Sequence, residues 1–280
     1  MKIDTLQVAS DVRRALQEDI GTGDVTAALL PSRLVVEAEI ISREAMLVCG
    51  QPWVNEVFAQ VDPKIEIEWL VAEGDWLDKP ATLCVLHGTA SSILTAERTA
   101  LNFLQTLSAT ATQTHHYVKK LAGTKTRLLD TRKTIPGLRK AQKYAVSCGG
   151  GVNHRMGLYD AFLIKENHIK ACGSIAKAIS LARATNQHVL VEIEVETLDE
   201  LREALAAHPD RILLDNFSLD LLAQAVQLNQ PKYCELEASG GINSDTIEDI
   251  ARCGVDFISV GAITKSLKAI DLSLLVREVL

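Results

Sequence analysis

Aromatic residues are scarce in this 280-residue chain: Phe, Trp and Tyr make up 4% of it. Ala, Leu, Ile and Val must therefore fill the core, within an apolar fraction of 47%. That composition favours helices packed on sheet over an all-β sandwich. Positive charge is also in deficit. The formal net charge is −7, which argues against a general nucleic-acid partner. Paired cysteine motifs are missing as well. The six cysteines (Cys49, Cys84, Cys148, Cys172, Cys234 and Cys253) form no C-x-x-C pair, and no histidine stands at zinc-finger spacing from them. They read as buried, reduced thiols of a cytoplasmic protein. No apolar run is long enough to span a bilayer. The N-terminal stretch MKIDTLQVASDVRRALQEDIG carries acids and a helical pattern, not the apolar core of a signal peptide.

What is present changes character near residue 110. Before it, DVRRALQEDI reads as a helix, GTGD as a turn and VVEAEIISREAMLVCG as strands. KIEIEWLVAEGDWLD alternates as a strand pair with EGD as its turn, and TASSILTAERTALNFLQTLSAT is a long helix. After residue 110, apolar strand-like runs alternate with helical patterns. The runs are TRLLD, AFLIK, HVLVEIEV, RILLD, YCELEAS and DFISVG. The helical patterns include SIAKAISLARATN, LDELREALAAH, SLDLLAQAVQLN and SDTIEDIARCG. Such alternation implies parallel strands joined by helical crossovers. An open doubly wound sheet would carry G-x-G-x-x-G after its first strand, and none is there. Polar residues recur instead at strand ends: Asp130, Lys165, Glu194, Asp215 and Ser239. A βα-barrel gathers its site at that edge. Six strands fall short of eight, so a small or incomplete barrel is expected.

The stretch DTRKTIPGLRK at 130–140 then stands out, because it packs Arg132, Lys133, Arg139 and Lys140 into an acidic chain. With His154, Arg155 and Lys165 it would bring cations together with Glu194 and Asp215. Arginine forks match carboxylates and phosphates, and lysine adds a point charge. The carboxylates suit Mg²⁺ or ribose hydroxyls. Gly240 and Gly241, before a helix that Asn243 or Ser244 could cap, and Gly261 fall where barrels bind phosphate.

In order along the chain, DTRKTIPGLR, GGGVNHRMGLYD, LIKENHI, VEIEVET, ILLDNF, EASGGI and ISVGA resemble quinolinate phosphoribosyltransferase, also called carboxylating nicotinate-nucleotide pyrophosphorylase. EDIGTGDVT and TAERTALNFLQ fit the same family. The resemblance implies an α/β subunit: an N-terminal α+β sandwich domain (1–110), an incomplete parallel α/β barrel (111–265) and a C-terminal helix (266–280) returning to the first domain. It implies transfer of phosphoribosyl from 5-phosphoribosyl-1-pyrophosphate to quinolinate, with loss of CO₂. It also implies Mg²⁺ as cofactor and a homodimer in which Arg98 reaches the partner's site. On the same basis Arg132, His154, Arg155 and Lys165 fall to quinolinate, Lys133 to the pyrophosphate, and Ser239, Gly240 and Gly261 to the 5′-phosphate. Glu194 and Asp215 fall to the ribose hydroxyls and the Mg²⁺ carried by the donor. Lys133, Lys165, Glu194 and Asp215 are the expected catalytic set.

Plainer readings stand beside these. A basic run is ordinarily a solvated surface. Lys165 could serve only in an ion pair, and one of Glu192, Glu194 and Glu196 could merely pair with a lysine. His115 and His168 read as capping or hydrogen-bonding residues. A barrel aldolase with Lys165 as Schiff-base nucleophile is a second enzyme reading, which requires a desolvated lysine. A phosphoribosyltransferase-like relative acting on another aromatic acid, or a divergent paralogue associated with metal transport, is a third. A non-catalytic binding protein for a phosphorylated metabolite is a fourth, in which the carboxylates would be idle.

Overall fold

Short polar residues at helix starts set many boundaries. Helix α1 (Thr5–Ile20) opens at Asp4, whose carboxylate accepts the Gln7 N–H, and stops at Gly21. The structure is a computed structural model that describes residues 3–280; Met1 and Lys2 lie outside the described residues. Next come β1 (Val35–Ser42), β2 (Met46–Leu47), α2 (Gln51–Val61), β3 (Glu66–Trp69), β4 (Trp76–Leu77), β5 (Ala81–Thr89) and the long α3 (Ala90–Lys120). They are followed by β6 (Arg127–Leu129), α4 (Arg139–Cys148), β7 (Ala161–Ile164), α5 (Glu166–Cys172) and α6 (Ile175–Thr185). Strands and helices then alternate: β8 (Leu190–Val195), α7 (Leu198–Ala206), β9 (Arg211–Asp215), α8 (Leu219–Leu228), β10 (Glu235–Ser239) and α9 (Ile247–Arg252). Last are β11 (Phe257–Ser259), α10 (Ala262–Lys265) and β12 (Leu272–Val279).

These elements sort into two compact units. One comprises residues up to His115, with Ile135–Gly150 and Ser266–Leu280; the other comprises His116–Thr134 and Gly151–Lys265. A cut at residue 110 would fall inside α3, and residues 135–150 group with the first unit.

The first unit is built on an antiparallel sheet in the order β12-β1-β5-β3. Val12, Ile40, Phe58, Leu86, Leu104 and Ala145 are all buried in its core. The tail does return to this unit, but as strand β12 instead of the expected helix. It pairs antiparallel with β1, from Leu272 opposite Ser42 to Val279 opposite Val36. Leu272 and Leu274 are buried with the polar Ser273 between them, so the tail has the period of a strand, and β1 supplies its backbone partners. The expected hairpin at KIEIEWLVAEGDWLD does not form either. Strand β3 pairs with β5, and β4 pairs with β2. Alternation marks strands without choosing their partners. The EGD segment serves a helix: Glu73 accepts the N–H groups of Gly50 (2.9 Å) and Gln51 (3.0 Å) at the start of α2.

The second unit carries the six expected strands in one parallel sheet, ordered β6-β11-β10-β9-β8-β7. Among the described residues β6 and β7 do not pair as strands; Leu129 bridges Val152 instead. The sheet is thus an incomplete barrel with crossover helices. Ser174, Thr197 and Ser218 start α6, α7 and α8, each hydroxyl accepting an N–H three residues on. Helix α9 differs from expectation. Its N-cap is Thr246 without a side-chain bond, and Asn243 accepts from Asp245 and Thr246 in the turn before. All six cysteines are free, but only Cys49, Cys84 and Cys234 are buried; the rest are half-buried. No described helix is long and apolar enough to cross a membrane.

Candidate active site

Parallel register brings the carboxyl ends of the strands to one edge. Ser239 lies opposite Asp215, Glu194 opposite Leu213, and Ser259 opposite Leu129. Side chains two apart on a strand share a face. Leu163 and Lys165, Leu213 and Asp215, and Glu237 and Ser239 thus pair up in lining one cavity of about 330 Å³ in the second unit. Glu194 and Ser259 join them from β8 and β11. The loop after β6 adds Thr131, Arg132 and Lys133, and the loop before β7 adds His154 and Arg155.

The cavity therefore gathers Arg132, Lys133, His154, Arg155, Lys165, Glu194, Asp215 and Ser239 from the expected set. Arg98 is exposed on the part of α3 that belongs to the first unit, and does not line it. Gly240 and Gly261 do not line it either, and both make room for polar side chains. A Cβ at Gly240, where φ is +99°, would meet Asn216 Oδ1 at 2.1 Å. A Cβ at Gly261 would meet Lys133 Cδ at 2.9 Å. The basic run divides: Arg139 and Lys140 open α4 in the first unit, where Lys140 Nζ lies 3.4 Å from Asp4.

The cavity carries both signs of charge. Lys165 Nζ donates to Glu194, and its side chain is 46% exposed. An ion-paired, solvated lysine is not the desolvated nucleophile an aldolase needs. Burial first, and then the neighbouring Arg132, lower the proton affinity of the Arg155 guanidinium. Two repelling cations, one of them desolvated, suit an anion between them. Arg155 Nη1 donates to the Ala161 carbonyl at 3.2 Å, while its buried Nε has no protein partner. Asp215 accepts from Asn216 Nδ2 at 2.7 Å. Glu194 and Asp215 supply hard oxygen donors but belong to no three-ligand cluster among the described residues. Such a pair fits Mg²⁺, which keeps most of its ligands from water and phosphate.

The buried side of the cavity is charged as well. His154 Nε2 lies 2.9 Å from Glu192 Oε2 and 3.5 Å from Glu237 Oε2. Burial, and next the adjacent Glu192, push the Glu237 carboxyl from 4.5 up to about 8. Burial also raises Glu192. Arg211, at the foot of β9, donates to Glu235 at 2.8 Å and lies 4.1 Å over the Phe257 ring. Sequence reasoning gave Glu237, Thr131 and Ser259 no role. The available signal was the two-residue spacing of Glu237 from Ser239 in ELEAS. Outside the site, His168 Nδ1 accepts the Lys165 N–H at 2.9 Å, and His115 stacks on Trp76 with centroids 4.9 Å apart.

Comparison with known proteins agrees with this architecture. Residues 24–108 match the quinolinate phosphoribosyl transferase N-terminal domain, and residues 110–275 match its C-terminal domain. The chain is 40% identical over 270 residues to a probable nicotinate-nucleotide pyrophosphorylase [carboxylating] of Bacillus subtilis, covering 96% of this chain and 93% of that protein. It is 38% identical to a quinolinate phosphoribosyltransferase [decarboxylating] of Nicotiana tabacum, covering 96% of this chain and 82% of that one. The solved nicotinate-nucleotide pyrophosphorylase of Francisella tularensis superposes with a TM-score of 0.96 at 52% identity, covering 99% of this chain and 98% of that one. The chain belongs to the quinolinate phosphoribosyltransferase family.

Proposed function

We propose that the chain transfers the phosphoribosyl group of 5-phosphoribosyl-1-pyrophosphate to quinolinate and releases pyrophosphate and CO₂, giving nicotinate mononucleotide in NAD biosynthesis. One observation carries the reading. In a chain of net charge −7, Arg132, Lys133, Arg155 and Lys165 meet Glu194 and Asp215 around one cavity at the strand ends.

Quinolinate has two carboxylates and needs several cations. Arg132, Arg155 and Lys165 supply them, and the mutual repulsion of Arg132 and Arg155 is relieved when an anion sits between them. Ser239 faces the 5′-phosphate, with Gly240 and Gly261 behind it, and Lys133 faces the pyrophosphate. Glu194 and Asp215 hold the ribose hydroxyls, and they would hold Mg²⁺ largely through the donor, where the ion neutralises the leaving pyrophosphate. As the C–O bond to pyrophosphate breaks, the ribose carbon becomes cationic beside these carboxylates, and the quinolinate nitrogen takes up that carbon. The resulting pyridinium is an electron sink. The 2-carboxylate leaves as CO₂, its bonding pair stays on the ring carbon, and a proton replaces it. No covalent enzyme intermediate is needed; positioning and charge supply the acceleration.

The proposal extends to a cytoplasmic homodimer. Arg98, exposed on α3, then completes the quinolinate site of the partner. Arg132→Ala and Lys165→Ala test the assignment. Each removes a charge-assisted contact, so the KM for quinolinate should rise roughly ten- to hundredfold. An unchanged KM in both variants contradicts the reading.

A further inference from the structure

We propose that Cys49, Glu73 and Cys148 form a Zn²⁺ site in the first unit, built from residues that no step of the proposed reaction uses. Its protein ligands are two thiolates and one carboxylate, which leaves a fourth position for water.

Three distant stretches of chain supply the ligands. Cys49 stands between β2 and α2, Glu73 between β3 and β4, and Cys148 ends α4. Their two sulfurs and one carboxylate oxygen all lie within 4.8 Å of one another. A tetrahedral Zn²⁺ holds two sulfurs about 3.8 Å apart and a sulfur and an oxygen about 3.5 Å apart. The three groups therefore close by about 1.3 Å at most to take the ion. The Cys49 side chain already hydrogen-bonds with both Cys148 and Glu73. A metal at their centre takes the place of that shared proton, which goes to solvent. The donor set selects the ion. Thiolates reject Mg²⁺ and Ca²⁺, which take oxygen, and the carboxylate favours Zn²⁺ over the softer Cu(I).

Each ligand is held by outer contacts. Glu73 Oε2 accepts the Gln51 N–H at 3.0 Å, and Oε1 accepts only the Gly50 N–H at 2.9 Å, which leaves it a lone pair. Ser108 Oγ clamps the Cys49 main chain, accepting its N–H and donating to its carbonyl, each at 3.0 Å. Beside Cys148, Gly149 lets α4 approach α3 closely: a Cβ there would meet the Ala111 carbonyl at 2.5 Å. The Tyr144 hydroxyl, one turn back along α4, donates to Cys148. Outer bonds of this kind orient the ligands of metal sites. Cys49 is fully buried, whereas Glu73 and Cys148 are half-buried. The ion thus has access from solvent, and its water ligand has room. Once bound, it ties the end of α4 to the start of α2.

The test uses the whole chain, stripped of metal by a chelator and kept reduced with a phosphine. Co²⁺ alone is the optical probe, because sulfur-to-cobalt charge transfer reports thiolate ligands and the oxygen donors of the strand-end cavity give none. A single equivalent is expected to develop that band, and Zn²⁺ to abolish it. Cys148→Ser should halve the band per bound ion. Glu73→Gln should keep the band and weaken Zn²⁺ about tenfold or more, read by competition with a chromophoric chelator. Cys172→Ser, at a half-buried thiol outside the cluster, should change neither. A second reading needs no variant: Zn²⁺ should slow alkylation of Cys148 by iodoacetamide about tenfold or more, mapped by mass spectrometry, and leave Cys253 unprotected. No charge-transfer band, a band unchanged in a folded Cys148→Ser, or equal alkylation of Cys148 with and without Zn²⁺ overturns the proposal.

Discussion

Residue by residue, the chemistry is a matter of which charges are buried and which are solvated. Lys165 and Glu194 form a pair in the cavity wall with the lysine half exposed, whereas Glu192 and Glu237 have almost no exposure. Glu237 is the more telling of the buried two. Its folded value of about 8 stands above the ordinary 4.5, so the folded state keeps a proton that the unfolded chain releases. The resulting stability is fully present below pH 4.5 and is lost as pH rises through 8. Across that window the slope approaches about 1.4 kcal/mol per pH unit. Glu237→Gln, which holds an uncharged amide at every pH, should gain stability relative to the unsubstituted protein between pH 5 and 8, measured as urea midpoints. Parallel pH dependences for the two proteins would contradict a retained proton. The cations of DTRKT were legible because they cluster in a chain of net negative charge. The role of Glu237 was not, since a glutamate in a strand gives no sign of which face is wet.

At the scale of elements, legibility followed periodicity. All six strands of the parallel sheet and the four helices α6 to α9 were visible, since buried parallel strands are near-continuous apolar runs, whereas α4 and α5 were not. Pairing was less visible. The tail LSLLVREV was expected as a helix from the resemblance alone, but its buried residues, Leu272 and Leu274, stand two positions apart, the period of a strand. The segment around EGD was expected as a hairpin, but Glu73 caps α2 from a turn between strands of different sheets. Caps, by contrast, are local and were written in the chain. Thr197 and Glu200 form a capping box at α7, each side chain accepting the other's backbone N–H. Thr197→Ala should cost about 1 kcal/mol, read from the urea midpoint, with kcat unchanged. Unchanged stability would show that the box adds nothing to the fold.

For the whole molecule, the second unit assembles the eight cavity residues expected from sequence, while Arg98 lies in the first unit. The proposed homodimer gives that arginine its place. If one protomer's Arg98 serves its partner's site, mixing Arg98→Ala with Lys165→Ala subunits restores intact sites in the mixed dimers. Roughly a quarter of full activity is expected after complete exchange, since half the dimers are mixed and each has one intact site. No recovery, with exchange verified by mass, would contradict a shared site. The central claim is the reaction itself, and its most direct test is a single incubation with the donor 5-phosphoribosyl-1-pyrophosphate and Mg²⁺. Quinolinate labelled in its 2-carboxylate and, in parallel, nicotinate would serve as acceptors. Labelled CO₂ and nicotinate mononucleotide in equal amounts from quinolinate, with no product from nicotinate, is the expected result. Nicotinate mononucleotide from nicotinate, or no product from either acceptor with folded protein, would contradict it.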